Sequence, residues 1–176
     1  AALSGGNERF NGLAATAEPR VAVNVEGASP TSEAYVDVGN NSFSTCDALT
    51  SGVYFRNSSA NAGSTQVDVT IRNNDMSSTK GIESDFTGAS SSATDLLIYD
   101  NTNVANITLD SGTTGDVLQI ADVLGSSVTG ATIGQISSVL TAAAGNNNPV
   151  SNAVSVSGTG TTNIVPTSNI TAPTVP

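Results

Sequence analysis

The sequence predicts a mainly β domain of β-sandwich or jelly-roll-like type, with one or two short helices at about 117–144 and extended terminal arms. Three observations carry this. Several segments alternate apolar and polar residues with period two, the mark of strands with one buried face. Large side chains are scarce, with no Trp, four Phe and three Tyr, so the core is built from Val, Ile, Leu and Ala. Such a lean core suits thin layers of strand. Stretches of Gly, Ser, Asn, Asp and Pro divide the short apolar runs, as turns do. The expected organisation is an arm at 1–20, a sandwich domain at 21–157 and an extended tail at 158–176.

Residues 13–26 alternate from Leu13 through Ala15, Ala17, Pro19, Val21, Val23 and Val25. Pro19 cannot donate to a ladder and marks an edge or break. The stretch is thus two strands joined at Pro19, or an arm that leaves its own subunit. A strand follows at 34–38 (AYVDV), and another at 52–56 (GVYFR). The cleanest is 65–72, where Val67, Val69 and Ile71 face in and Asp68, Thr70 and Arg72 face out. A short strand is expected at 82–86. Residues 94–109 read as a hairpin, with strands at 96–99 and 104–109 and a turn at Asp100-Asn101-Thr102-Asn103. Val117, Ile120, Ala121, Leu124 and Val128 share helical spacing. A second helix is expected at 133–144, with Thr132 and Gln135 at capping-box spacing. Alternation returns at 153–157. No long internal repeat stands out.

A net charge of −10, with one lysine, disfavours nucleic acid as a partner, because phosphates need a basic footprint, and none is expected. No apolar run approaches the roughly 20 residues of a membrane span. The chain begins at Ala1, which reads as a chain trimmed after export. Cys46 is alone and reads as a small buried apolar residue.

Histidine is absent, which removes Ser-His-Asp and Cys-His catalysis. Residues 107–114, ITLDSGTT, resemble the catalytic loop of aspartic proteases, in which two carboxylates share a proton. One copy implies a homodimer. The apolar-apolar-Gly element that braces the site in that family has only Val123-Leu124-Gly125 to match it, too close and inside a helical pattern. The segment is therefore read as a turn around Asp110. Glu83 and Asp85 share a strand face, and Asp95 and Asp100 flank a strand, but a sugar cleft without tryptophan is disfavoured. No cofactor is expected. Calcium is the cation that the oxygen-rich runs Asn73-Asn74-Asp75, Asp100-Asn101-Asn103 and 110–116 would suit. N-glycosylation sequons stand at Asn40, Asn57, Asn106 and Asn169.

The expected function is an extracellular, non-enzymatic structural subunit at the cell surface that self-assembles into a filament, pilus or surface array. Its partners are copies of itself. The joint is β-strand addition, akin to donor-strand complementation, with Phe10, Leu13, Ala15 and Ala17 as the donor segment and the tail as alternate donor or surface wrap. A viral capsid, decoration or fibre protein fits the same features. An adhesin or carbohydrate-binding module is the reading from a different class.

Overall fold

The computed structural model describes residues 2–5, 21–25, 33–43, 51–57, 66–86 and 93–171. Its strands are β1 (Ala2–Gly5), β2 (Val21–Val25), β3 (Glu33–Gly39), β4 (Ser51–Asn57), β5 (Gln66–Arg72), β6 (Gly81–Phe86), β7 (Ala93–Tyr99), β8 (Val104–Asp110), β9 (Val117–Asp122), β10 (Val150–Ser157) and β11 (Thr161–Pro166). One helix, α1 (Ile133–Thr141), lies between β9 and β10. Odd strands form one sheet in the order β1-β3-β5-β7-β9-β11, and even strands form the other, β10-β8-β6-β4-β2. Every pairing between these strands is parallel.

The chain therefore winds as a coil. Each turn gives one strand to each sheet, and the next turn stacks on it at about 4.8 Å. The mainly β class and the single helix agree with expectation. The sandwich and jelly-roll topology does not, since those folds are built from antiparallel strands joined as Greek keys. The expected hairpin is corrected too: its strands are β7 and β8, and they lie in different sheets. Its turn is a corner of the coil. Residues 117–122, expected in a helix, are β9. Parallel strands buried on both faces read as near-continuous apolar runs, and VLQIAD fits either period. Residues 161–166, expected in the tail, are β11 and pair with β9.

One corner recurs on successive turns and is built on an Asn-Asn or Asp-Asn pair. Asn40, Asn73, Asp100 and Asn147 have φ of 61°, 53°, 52° and 52°. Asn and Asp enter this left-handed region more readily than other residues with a side chain. The residue after each is an inward asparagine: Asn41, Asn74, Asn101 and Asn148, all buried. Their side chains stack as a ladder. Asn41 Nδ2 donates to Asn74 Oδ1 at 2.9 Å, Asn74 Nδ2 to Asn101 Oδ1 at 2.8 Å, and Asn101 Nδ2 to Asn148 Oδ1 at 2.9 Å. Backbone carbonyls accept the other amide hydrogen: Val38 from Asn74, Ile71 from Asn101 and Ile98 from Asn148. The rungs are 33, 27 and 47 residues apart in sequence. The last step exceeds the one before it by 20 residues (47 less 27), and that insertion holds α1. This is the internal repeat that sequence reading did not find.

Aliphatic rows fill the space between the sheets. Val36, Val69, Leu96, Ile120 and Ile164 stand opposite one another across five strands. Val21, Val53, Ile82, Ile107 and Val154 form the matching row in the even sheet. All but Val21 and Val154 are at most 3% exposed. Gly81, at φ +112°, marks the tightest approach between strands: a Cβ there would sit 2.1 Å from the Asn106 carbonyl oxygen.

The C-terminal end is closed in part. Thr132 caps α1 with the expected capping box to Gln135, and the helix turns Ile136 and Leu140 into the core. Residues 128–131 lie along the free edge of β11, with Val128 and Ile164 exchanging backbone bonds of 2.9 and 2.8 Å. Beyond β11 the chain crosses the outer face of the odd sheet, and Thr171 N donates to Asp68 Oδ2 at 2.6 Å. Three strand spacings of about 4.8 Å separate β11 from β5, and the chain crosses them through the 3-10 turn at Thr167–Asn169.

Asn101→Ala should destabilise the chain by about 3 kcal/mol, because it strands the Asn74 donors and the Ile71 carbonyl in the interior. A urea midpoint unchanged by that substitution would mean the ladder bears no stability.

Candidate functional site

The carboxylate pair on β6 sits on the outer face of the even sheet, where both groups are ion-paired. Asp85 accepts from the Tyr54 hydroxyl at 2.9 Å and lies 3.3 Å from Arg56 Nε. Glu83 pairs with Lys80 at 2.8 Å and accepts from the Ser51 hydroxyl. Burial pushes the Glu83 carboxyl up, but the Lys80 ammonium and the Ser51 hydroxyl outweigh it and hold it below its ordinary value. A general acid for glycoside hydrolysis needs the opposite shift. Burial and the neighbouring Asp85 raise the Tyr54 hydroxyl above its ordinary value.

The protease-like loop is a corner. Asp110 Oδ1 accepts from Gly112 N at 2.9 Å, and Asp116 Oδ2 accepts from Thr113 N and Oγ1 at 2.8 and 2.9 Å. Ser111 Oγ donates to the Ser157 carbonyl, and Thr159 N to the Gly112 carbonyl, so this corner stacks on the next. The other oxygen-rich runs are corners as well. Asp75 Oδ1 accepts from Ser77 N, Ser77 Oγ and Asn103 Nδ2. Asp100 Oδ1 accepts from Asn147 Nδ2. Among the described residues no group of three or more His, Cys, Asp or Glu is placed to hold a metal ion.

The sequons divide by exposure. Asn40 is exposed at its corner and Asn169 is exposed in a single 3-10 turn at Thr167–Asn169. Asn106 is half-buried and donates to the Lys80 carbonyl. Asn57 is fully buried with its amide bonded to Thr94 Oγ1, so a glycan cannot reach it in the folded chain. The expected donor residues Phe10, Leu13, Ala15 and Ala17 lie outside the described residues, as does Cys46. Ala2–Gly5 pairs with β3 of its own coil.

What sequence reasoning missed is the C-terminal end of the coil. From residue 111 to the end of the chain, the charged residues are Asp116 and Asp122 alone. Both are buried and hydrogen-bonded to their own corners. Among the described residues, the large hydrophobic side chains that stand exposed gather at this same end: Val123, Leu124 at 64% and Ile133 at 52%. A groove of about 340 Å³ runs between α1, β10 and β11, past Ile133, Ile136, Val156 and Thr162. A second, of about 430 Å³, lies between α1 and β11, lined by Val128, Thr132, Gln135, Val139 and Ile164. β10 pairs with β8 on one side and has no described strand on the other. Its residues Ser151, Asn152, Ala153, Ser155 and Ser157 are exposed. The missing charge was countable in the sequence; its placement at one end follows from the coil.

Three carboxyls make acid stability testable. Burial raises Asp75, Glu83 and Asp122, but hydrogen bonds from Ser77 and Asn103, from Lys80 and Ser51, and from Ser126 and Leu124 outweigh it. Each is held below its ordinary value in the folded state, so the unfolded chain binds more protons as pH falls. Stability should be level down to about pH 5 and decline below about pH 4. Asp122→Asn should flatten that decline in urea midpoints measured from pH 7 to 3; an unchanged acid slope would contradict the assignment.

Comparison with protein-family models, curated proteins and solved structures returned no match for this chain.

Proposed function

We propose that the chain is a non-enzymatic structural subunit, exposed outside the cell, that self-assembles end to end into a filament, pilus or surface array. One observation carries the reading: the C-terminal end bears no exposed charged side chain among the described residues, yet holds the exposed Val123, Leu124 and Ile133. Surfaces depleted of charge and dotted with large apolar groups are characteristic of interfaces. On a chain of net charge −10, such a surface is where two copies meet without opposing carboxylates. A coil touches each turn only through its neighbours, so its ends are the natural joints. Placement outside the cell rests on composition and on the exposed sequons Asn40 and Asn169.

Sedimentation velocity over a hundredfold concentration range should show a monomer growing into an open series of oligomers. Leu124→Asp combined with Ile133→Asp should hold the chain monomeric with an unchanged unfolding midpoint, because both side chains are exposed. A wild-type chain that stays monomeric throughout, or a double variant that associates equally well, would count against the proposal.

A further inference from the structure

We infer that the even sheet is one strand short at the C-terminal end, and that the vacant place beside β10 takes a single extended strand, residues 13–17 of a second copy. The inference rests on the assembly reading above. The odd sheet has six strands and the even sheet five. Residues 128–131 extend the odd sheet further still, along the edge of β11. Among the described residues no strand of the even sheet stands opposite β11. The shortfall shows in burial. Ile107 and Leu109 on β8 are fully buried, yet Val154 and Val156, their register partners on β10, are only half-buried. Beside Val156 opens the groove of about 340 Å³, walled by Ala131, Ile133, Ile136 and Thr162. β10 has no described strand on that side, and its sequence, VSNAVSVS, holds no charge or proline to guard the edge.

Charge, side-chain pattern and reach select the occupant. A strand laid there must be uncharged, with apolar side chains at alternate positions to fill the groove. Residues 13–17, LAATA, lie outside the described residues and meet both conditions: they hold no charge, and a strand would place Leu13, Ala15 and Ala17 on one face. The segments 58–65 and 87–92 are also uncharged but carry no apolar side chain larger than alanine. The segment cannot reach the vacant place on its own coil. That place lies five strand spacings, about 24 Å, from β2. Val21 opens β2, and the four residue steps from Ala17 to Val21 span at most about 14 Å. A second copy stacked beyond residues 128–131 is within reach and clear of β11. Its β1 then stands next past that segment, and its β2 is two spacings, about 10 Å, from the vacant place. The joint is head-to-tail and does not close, so it propagates.

The test pairs Ser155→Cys, on the exposed outer face of β10, with either Ala14→Cys or Thr16→Cys in a Cys46→Ser background, under mild oxidation at a concentration where the wild-type chain associates. Ala14 and Thr16 alternate with the groove-filling residues, so a slip of two residues exchanges one for the other beside Ser155. In-register neighbours on adjacent strands have Cα atoms about 4.8 Å apart, within disulfide reach. One of the two double-cysteine chains should give a ladder of covalent oligomers beyond the dimer on a non-reducing gel, collapsing with reductant. Ala15→Cys with Ser155→Cys, whose thiols would face opposite sides of the sheet, should give no ladder. A synthetic peptide of residues 10–18, added in excess, should hold the wild-type chain monomeric in sedimentation. If both double-cysteine chains associate yet give no species beyond the dimer, or the peptide leaves wild-type association unchanged, the added strand is overturned and the assembly reading stands. If the wild-type chain never associates, both fall.

Discussion

Four stacked asparagine amides fix the register of this coil. Aliphatic rows alone would not. A parallel strand that slips by two residues keeps the same face inward, and one valine substitutes for the next at little cost. The ladder does not tolerate such a slip. Each inner amide is committed both to the amide of the neighbouring turn and to a backbone carbonyl, as Asn101 is to Asn148 and Ile71. A displaced turn leaves these groups buried without partners, at about 1–3 kcal/mol each. The left-handed residue before each ladder asparagine fixes the corner, the corner fixes the strands on either side, and the rows of Val, Ile and Leu then fall into line.

A coil built this way is uniform along its length and different at its ends. Among the described residues, the cations sit in the middle, where Arg72, Arg56 and Lys80 meet Asp37, Asp85 and Glu83. The C-terminal end is treated otherwise. A capped helix plugs the core, an antiparallel segment covers one sheet edge, and the other edge stays open and uncharged. That asymmetry between the two ends gives the proposed assembly a direction.

Much of the local structure was legible. β5 announced itself through Val67, Val69 and Ile71, and α1 through the capping-box spacing of Thr132 and Gln135. Pairing was not legible, because alternation reports which face is buried and is silent on which strand lies alongside. Asp100-Asn101 looked like a hairpin turn since Asp and Asn serve reversals and corners equally well. The repeat was hidden by unequal loops: the ladder steps of 33, 27 and 47 residues defeat a search at fixed period, although the Asn-Asn or Asp-Asn pair marks each turn. Of the site, the scarcity of charge after residue 110, where only Asp116 and Asp122 stand, could have been counted, but nothing in the chain order told that β10, rather than the terminal arm, would present an open edge.

The central claim is that subunits add along the coil axis, which sets every strand across the axis of the polymer. X-ray fibre diffraction from aligned assemblies tests this directly. The account predicts a reflection near 4.8 Å on the meridian, the spacing of the stacked turns. A 4.8 Å reflection on the equator would place the strands along the fibre and contradict it.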